Sequence, residues 1–221
     1  KNTEKLAALS AWFSQSAAIA AGGHQHPVCG ASCPDGENHD NVTWTGAYGV
    51  TGLRAGGHYY LIRDVKVSET WHPEDGVVLC LNGHSITATT RSINVIEVDE
   101  GKTFTLTDCT GKGGITHDTG MKGRGVMVFG TFNMYGGNIS GNQTDGNYND
   151  RGTFGAGVYV ATGSIFNMSG GKITGNTGYS GGGSVYVAPT YAASSRAVFN
   201  MSGGEISGNS SLYGDSSGVY V

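Results

Sequence analysis

The sequence predicts an all-β chain wound as a parallel β-helix, a solenoid of short strands, with a short α-helix at its N-terminus. Three observations predict this fold. The first is a repeat: Phe132-Asn133-Met134-Tyr135-Gly136-Gly137-Asn138-Ile139-Ser140-Gly141-Asn142 returns at Phe166–Asn176 and again at Phe199–Asn209, with Phe-to-Phe steps of 34 and 33 residues. A fixed period with this much identity means stacked copies of one supersecondary unit. The second is strict alternation of large apolar and polar residues inside each copy, the pattern of a half-buried strand. The third is composition. The chain has 39 glycines in 221 residues without the every-third spacing of collagen, which is incompatible with long helices.

Each repeat divides into three short strands. Phe-Asn-Met forms one, and the Gly-Gly that follows is a bend. A second strand carries Ile139, Ile173 or Ile206 and closes on Gly-Asn. A third precedes each Phe: Val126-Met127-Val128, Val158-Tyr159-Val160, Val185-Tyr186-Val187 and Val219-Tyr220-Val221. The inward positions are then Val/Val, Phe/Met and Ile. Copies one period apart stack as parallel neighbours, so Asn142, Asn176 and Asn209 are expected to bond along a ladder. The outward residues Tyr159, Tyr186 and Tyr220, with Met127 and Glu97 before them, are expected to form an aromatic ladder at a strand spacing of about 4.8 Å. Flat rings with a polar tip suit contact with sugar rings or another protein. They serve equally well to stack on one another and stiffen the sheet.

Taken in order, residues 1–21 place Leu6, Leu9, Phe13 and Ala17 at helical spacing beside Trp12, an amphipathic helix that would pack on the solenoid. The competing reading is a signal-peptide remnant, with basic Lys1 and Lys5 and a small-residue end at Ala18-Ile19-Ala20. Residues 22–56 are a lead-in holding His24, His26, Cys29, Cys33 and His39. Thiolate and imidazole at short spacing suit a structural zinc site, while a Cys29–Cys33 disulfide or unbridged thiols are the alternatives. Residues 57–221 are the parallel β-helix, about five to six coils. Within it Leu79 and Leu81 align with Phe132 and Met134, and Ile86 takes the part of Ile139. The next copy is Phe104-Thr105-Leu106-Thr107-Asp108-Cys109 with Ile115. Cys80 and Cys109 fall on adjacent coils, though not in equivalent places, and are a candidate disulfide. The sequence stops at Val221 within a repeat, with no polar cap. End-on self-association or continuation into a longer chain is therefore expected.

Charged residues are 14% of the chain and the net charge is −4, so neither nucleic acid nor an anionic membrane is favoured as a partner. No run of roughly 18 apolar residues is present, so no membrane span is expected. Candidate catalytic residues are Asp145 and Asp150, in the irregular stretch 143–154, because glycoside hydrolysis needs two carboxyl groups about 5–5.5 Å apart or more. Glu97, Asp99 and Asp118 are further candidates. The competing reading is that Asp and Asn in a Gly-rich loop are ordinary turn formers. Lys122, Arg124 and Arg151 lie near these acids in sequence, but no Asp-rich ladder recurs across the coils.

The run Gly57-His58-Tyr59-Tyr60-Leu61, then Leu79-Cys80-Leu81-Asn82-Gly83-His84-Ser85-Ile86, then Leu106-Thr107-Asp108-Cys109 and the Phe-Asn-Met-x-Gly-Gly repeats resembles the right-handed, single-stranded parallel β-helix repeat proteins secreted by gut Firmicutes. These belong to the pectate-lyase-like fold group. The resemblance covers residues 22–221 and implies right-handed winding and a secreted or bacterial cell-surface location. It further implies a structural or adhesive module that meets glycans or host-surface proteins. Related folds include glycoside hydrolases and polysaccharide lyases, so the alternative expectation is a carbohydrate-active enzyme, a hydrolase ahead of a lyase. A solenoid of this type hosts many functions, and the fold by itself selects none of them.

Overall fold

A computed structural model describes residues 42–146, 154–189, 196–214 and 216–221. The helix expected over 1–21, the His24, His26, Cys29, Cys33 and His39 cluster, and Asp150 with Arg151 lie outside the described residues.

The described residues form an all-β arrangement of parallel sheets without a helix, consistent with a parallel β-helix. The first sheet has seven strands: Trp44–Ala47, His58–Leu61, Val77–Cys80, Thr103–Thr107, Thr131–Met134, Ile165–Met168 and Val198–Met201. The second has six: Val65–Val67, Ser85–Ala88, Gly114–His117, Asn138–Ser140, Lys172–Thr174 and Glu205–Ser207. The third has five: Ile96–Val98, Val126–Val128, Val158–Val160, Val185–Val187 and Val219–Tyr220. From His58 onward the chain visits the first, second and third sheets in turn. Trp71, bridged to Ile96, stands in the third-sheet place of the earliest circuit.

Register follows the repeat. Phe104, Phe132, Phe166 and Phe199 are direct cross-strand partners in succession. Their rings stack at centroid separations of 5.8, 5.0 and 4.9 Å. Leu106, Met134 and Met168 form the parallel column, and Ile86, Ile115, Ile139 and Ile173 line the second sheet, all fully buried. Each such side chain contributes roughly 1.5–3 kcal/mol by leaving water. The expected asparagine ladder is present. Asn142 Nδ2 donates to Asn176 Oδ1 at 2.9 Å, and Asn176 Nδ2 to Asn209 Oδ1 at 3.0 Å. A second ladder on the outer face of the first sheet links Asn200 to Asn167 and Asn167 to Asn133, each at 2.9 Å.

Two assignments are corrected. Val77 and Leu79, rather than Leu79 and Leu81, occupy the Phe104/Phe132 and Leu106/Met134 positions. A slip of two residues keeps every side chain on its own face, so alternation alone could not reject it. Leu81 lies just past the strand, its N–H donating to Thr107 O at 2.8 Å. The first sheet also starts before residue 57, because Trp44–Ala47 pairs parallel with His58–Leu61. Gly46 disguises this strand as a turn. A Cβ there would lie 3.3 Å from the Tyr60 ring, so the glycine gives room to the packed aromatic.

Candidate functional site

The outer face of the third sheet carries the predicted ladder. Glu97, Met127, Tyr159, Tyr186 and Tyr220 are successive cross-strand partners. Tyr159 and Tyr186 stack at 5.1 Å and 24°, Tyr186 and Tyr220 at 5.2 Å and 10°. The stacking occupies the ring faces. Phe154 also lies 4.7 Å from the Tyr186 centroid, and the Arg124 guanidinium sits 4.9 Å over the Tyr159 ring. Tyr159 is 7% exposed and Tyr186 8%, whereas Tyr220 keeps 41%. A sugar ring cannot lie flat on the two inner tyrosines. They cement a small apolar cluster with Met127, Ala161 and Ala188, and the stiffening role accounts for them.

Two hollows lie beside the ladder. The turns from third to first sheet in three successive circuits line one hollow of about 560 Å³, through Glu100, Lys102, Phe129, Thr131, Thr162 and Ile165. A second hollow of about 280 Å³, bounded by Tyr159, Tyr186 and Pro189, shares Ala161 and Thr162 with it. Because equivalent turns stack, these hollows follow the stacking direction across several circuits.

At the Lys102 end lies a charged cluster. His72 follows Trp71, whose bridge to Ile96 sets it beside Glu97. His72 Nδ1 is 2.7 Å from Asp99 Oδ1, and Lys102 Nζ is 3.2 Å from Asp99 Oδ2 and 3.3 Å from Glu74 Oε2. Asn94 Nδ2 donates to Glu97 Oε2 at 2.9 Å. Burial alone would raise the Asp99 pKa, but the hydrogen bonds from His72 and Lys102 outweigh it and hold the carboxyl below the usual range. Hydrogen bonding to Asp99 raises the Lys102 pKa in return. His72, Glu97 and Asp99 each present one donor atom, all within 4.8 Å of one another, a set that could hold a divalent ion. The Lys102 ammonium already supplies positive charge at Asp99. The set places two carboxyl groups and an imidazole on one ledge.

The sequence-predicted acids fall elsewhere. Asp145 is held by Arg91 Nε at 3.3 Å and Lys122 Nζ at 3.2 Å. Burial would raise its pKa, yet these two cations together keep it lowered, so it is an ionised clamp between turns. Asp118 pairs with Lys66 at 3.4 Å, at the end of the second-sheet strand Gly114–His117. Cys80 and Cys109 are thiols with no disulfide between them, and their sulfurs lie within 4.8 Å of each other. Sequence reading did not single out His72 or Lys102. Laying Trp71 against Ile96 by the repeat would have brought His72 to Glu97 and Asp99. Among the described residues, no helix is long and apolar enough to cross a membrane. Comparison of the chain with protein-family models, curated proteins and solved structures returned no match.

Proposed function

We propose that this chain is a right-handed, single-stranded parallel β-helix module, secreted or displayed at a bacterial surface, of structural or adhesive type. Its third-to-first-sheet turns hold an extended neutral glycan. The observation that carries the reading is the pair of adjoining hollows along these turns, which mix hydroxyl and charged groups (Thr131, Thr162, Lys102) with apolar Phe129 and Ile165. Sugar polymers present just this alternation of hydroxyls and C–H faces, and a repeated groove lets successive sugars meet equivalent contacts. Net charge of −4 argues against polyanionic glycans. Right-handed winding follows the strong preference of parallel crossover connections. A host-surface protein bearing such glycans fits the same groove. The test is a glycan array with wild type and Thr162→Trp, which plugs the hollows from an exposed position outside the core. At least a tenfold loss of binding with unchanged melting temperature is expected. No retained glycan, or a plug without effect, sinks the reading.

A second reading, glycoside hydrolysis, is favoured by one observation, the convergence of Glu97 and Asp99 with His72 at the groove end. Paired carboxyl groups are the requirement of that chemistry. Incubation with neutral oligosaccharides, with Glu97→Gln and Asp99→Asn as controls, decides it. Product release that both variants abolish supports hydrolysis, and wild type without turnover removes it.

A further inference from the structure

Cys80 and Cys109 take no part in the groove. Cys80 ends the strand Val77–Cys80, faces outward and is fully buried beneath Trp44 and Tyr60. Its strand partner on the next circuit is Thr107, and Cys109 stands two residues further along, on the same face. The two sulfurs lie within 4.8 Å of each other, so closing them to a bond of about 2.05 Å brings them together by less than about 3 Å. Cys109 is half-buried, and its thiol donates to Asn82 Oδ1 at 3.4 Å. Asp108 completes the group but is committed elsewhere. One carboxylate oxygen accepts from Gly83 N at 2.8 Å and the other from Gly113 N at 2.7 Å, fixing the turn that carries Cys109. With that carboxylate engaged, the chemistry left is that of two sulfurs rather than of a metal with three ligands.

We propose that Cys80 and Cys109 are an oxidisable pair that closes to a disulfide across one full circuit, with Cys109 as the entry sulfur. The oxidant is a small-molecule disulfide, RSSR. The Cys109 thiolate attacks one of its sulfurs, forming a mixed disulfide and expelling RS⁻. Cys80 then loses its proton to water and attacks the Cys109 sulfur, expelling the second RS⁻. Both leaving thiolates take up protons, so two protein thiols and RSSR become one protein disulfide and two RSH. The order follows from access. Cys109 can be reached from solvent, whereas Cys80 is fully buried, and that burial raises its thiol pKa and makes it the poorer first nucleophile. This inference is independent of glycan binding.

The test uses the full chain with Cys29→Ser and Cys33→Ser, leaving only this pair, equilibrated with glutathione disulfide under native conditions. Non-reducing peptide mapping is expected to give a Cys80–Cys109 linked peptide with loss of two hydrogens. The melting temperature should rise by roughly 5–10 °C over the reduced form. Cys80→Ala should accumulate glutathione on Cys109, while Cys109→Ser should gain no adduct until unfolded. Absence of the linked peptide at full oxidation, with both thiols still alkylated after unfolding, overturns the proposal. So does glutathione on Cys80 in folded Cys109→Ser, which would remove the entry role of Cys109. Neither arm depends on the Cys80→Ala protein folding.

Discussion

At the scale of single residues, buried polar groups carry more of this molecule than its charges do. Asn176 is fully buried. Its Nδ2 donates to Ile139 O at 2.8 Å and to Asn209 Oδ1, and its Oδ1 accepts from both the backbone N and Nδ2 of Asn142. Truncation would leave the buried Asn142 backbone N–H without its acceptor and take one donor away from Ile139 O and Asn209 Oδ1. Asn176→Ala is therefore expected to lose about 2–4 kcal/mol in urea unfolding. Asn209→Ala, at the more exposed end of the ladder, should lose less. The surface carboxylates act in a different way. Asp99 and Asp145 are lowered by their cationic partners against the effect of burial. Glu205 is lowered first by its hydrogen bond from Lys172, and Asp118 by the Thr119 N–H and then Lys66. A folded pKa below the unfolded one means that the unfolded state binds more protons in the acid range, so stability rises with pH there. The contribution is complete above the unfolded carboxylate value, about 4, and is lost as pH falls through the folded values. Melting temperatures should be level near neutrality and fall below about pH 4. Asp99→Asn should soften that fall, and a profile independent of Asp99 would refute the assignment.

At the scale of the element, the turn from first to second sheet decides how closely circuits approach. Gly171 has φ +80°, and a Cβ on it would lie 2.7 Å from Gly137 O and 2.7 Å from the terminal methyl of Met134. Gly163 has nearly the same φ, +81°, but nothing within 4 Å. The pair separates backbone preference from crowding. Gly163→Ala should cost about 1 kcal/mol, the conformational part alone, and Gly171→Ala roughly 1–3 kcal/mol more as the preceding circuit shifts. Equal losses would mean that crowding is relieved at no cost. The same turns show what was legible in the sequence. Phe132/Phe166/Phe199, Ile139/Ile173/Ile206 and Val158/Val185 align in the structure as the identical repeats align on paper, because identity fixes register. Where identity fades, only alternation remains, and alternation is blind to the two-residue slip at Val77. The site was harder to read for a related reason. The Asp145 partners are 54 and 23 positions away at Arg91 and Lys122, and they meet it only through stacking of irregular turns that no repeat marks. Stacking likewise uses up the faces of Tyr159 and Tyr186, which alternation could place outward but could not show to be covered.

At the scale of the whole molecule, each circuit touches only its neighbours, so stability is close to a sum of circuit terms and interface terms. The phenylalanine column tests this, because one substitution can be made at several heights. Phe132 and Phe166 have a ring on either side and are fully buried. Phe199 stacks on Phe166 and is only partly buried, with its strand neighbour Met201 46% exposed. Phe132→Ala and Phe166→Ala should each cost about 3–5 kcal/mol, the usual range for a buried phenylalanine. Phe199→Ala should cost a fraction of that, since its cavity opens to water instead of standing empty. Hydrogen exchange gives the matching readout. Amides of Val198–Met201 and Glu205–Ser207 should exchange well before those of Thr103–Thr107 and Thr131–Met134, and Phe199→Ala should accelerate only the former. Phe132→Ala removes an interface in the middle of the stack, so protection should fall on both sides of it at once. If the three substitutions instead gave equal losses and uniform exchange, the chain would be unfolding as one cooperative unit rather than circuit by circuit.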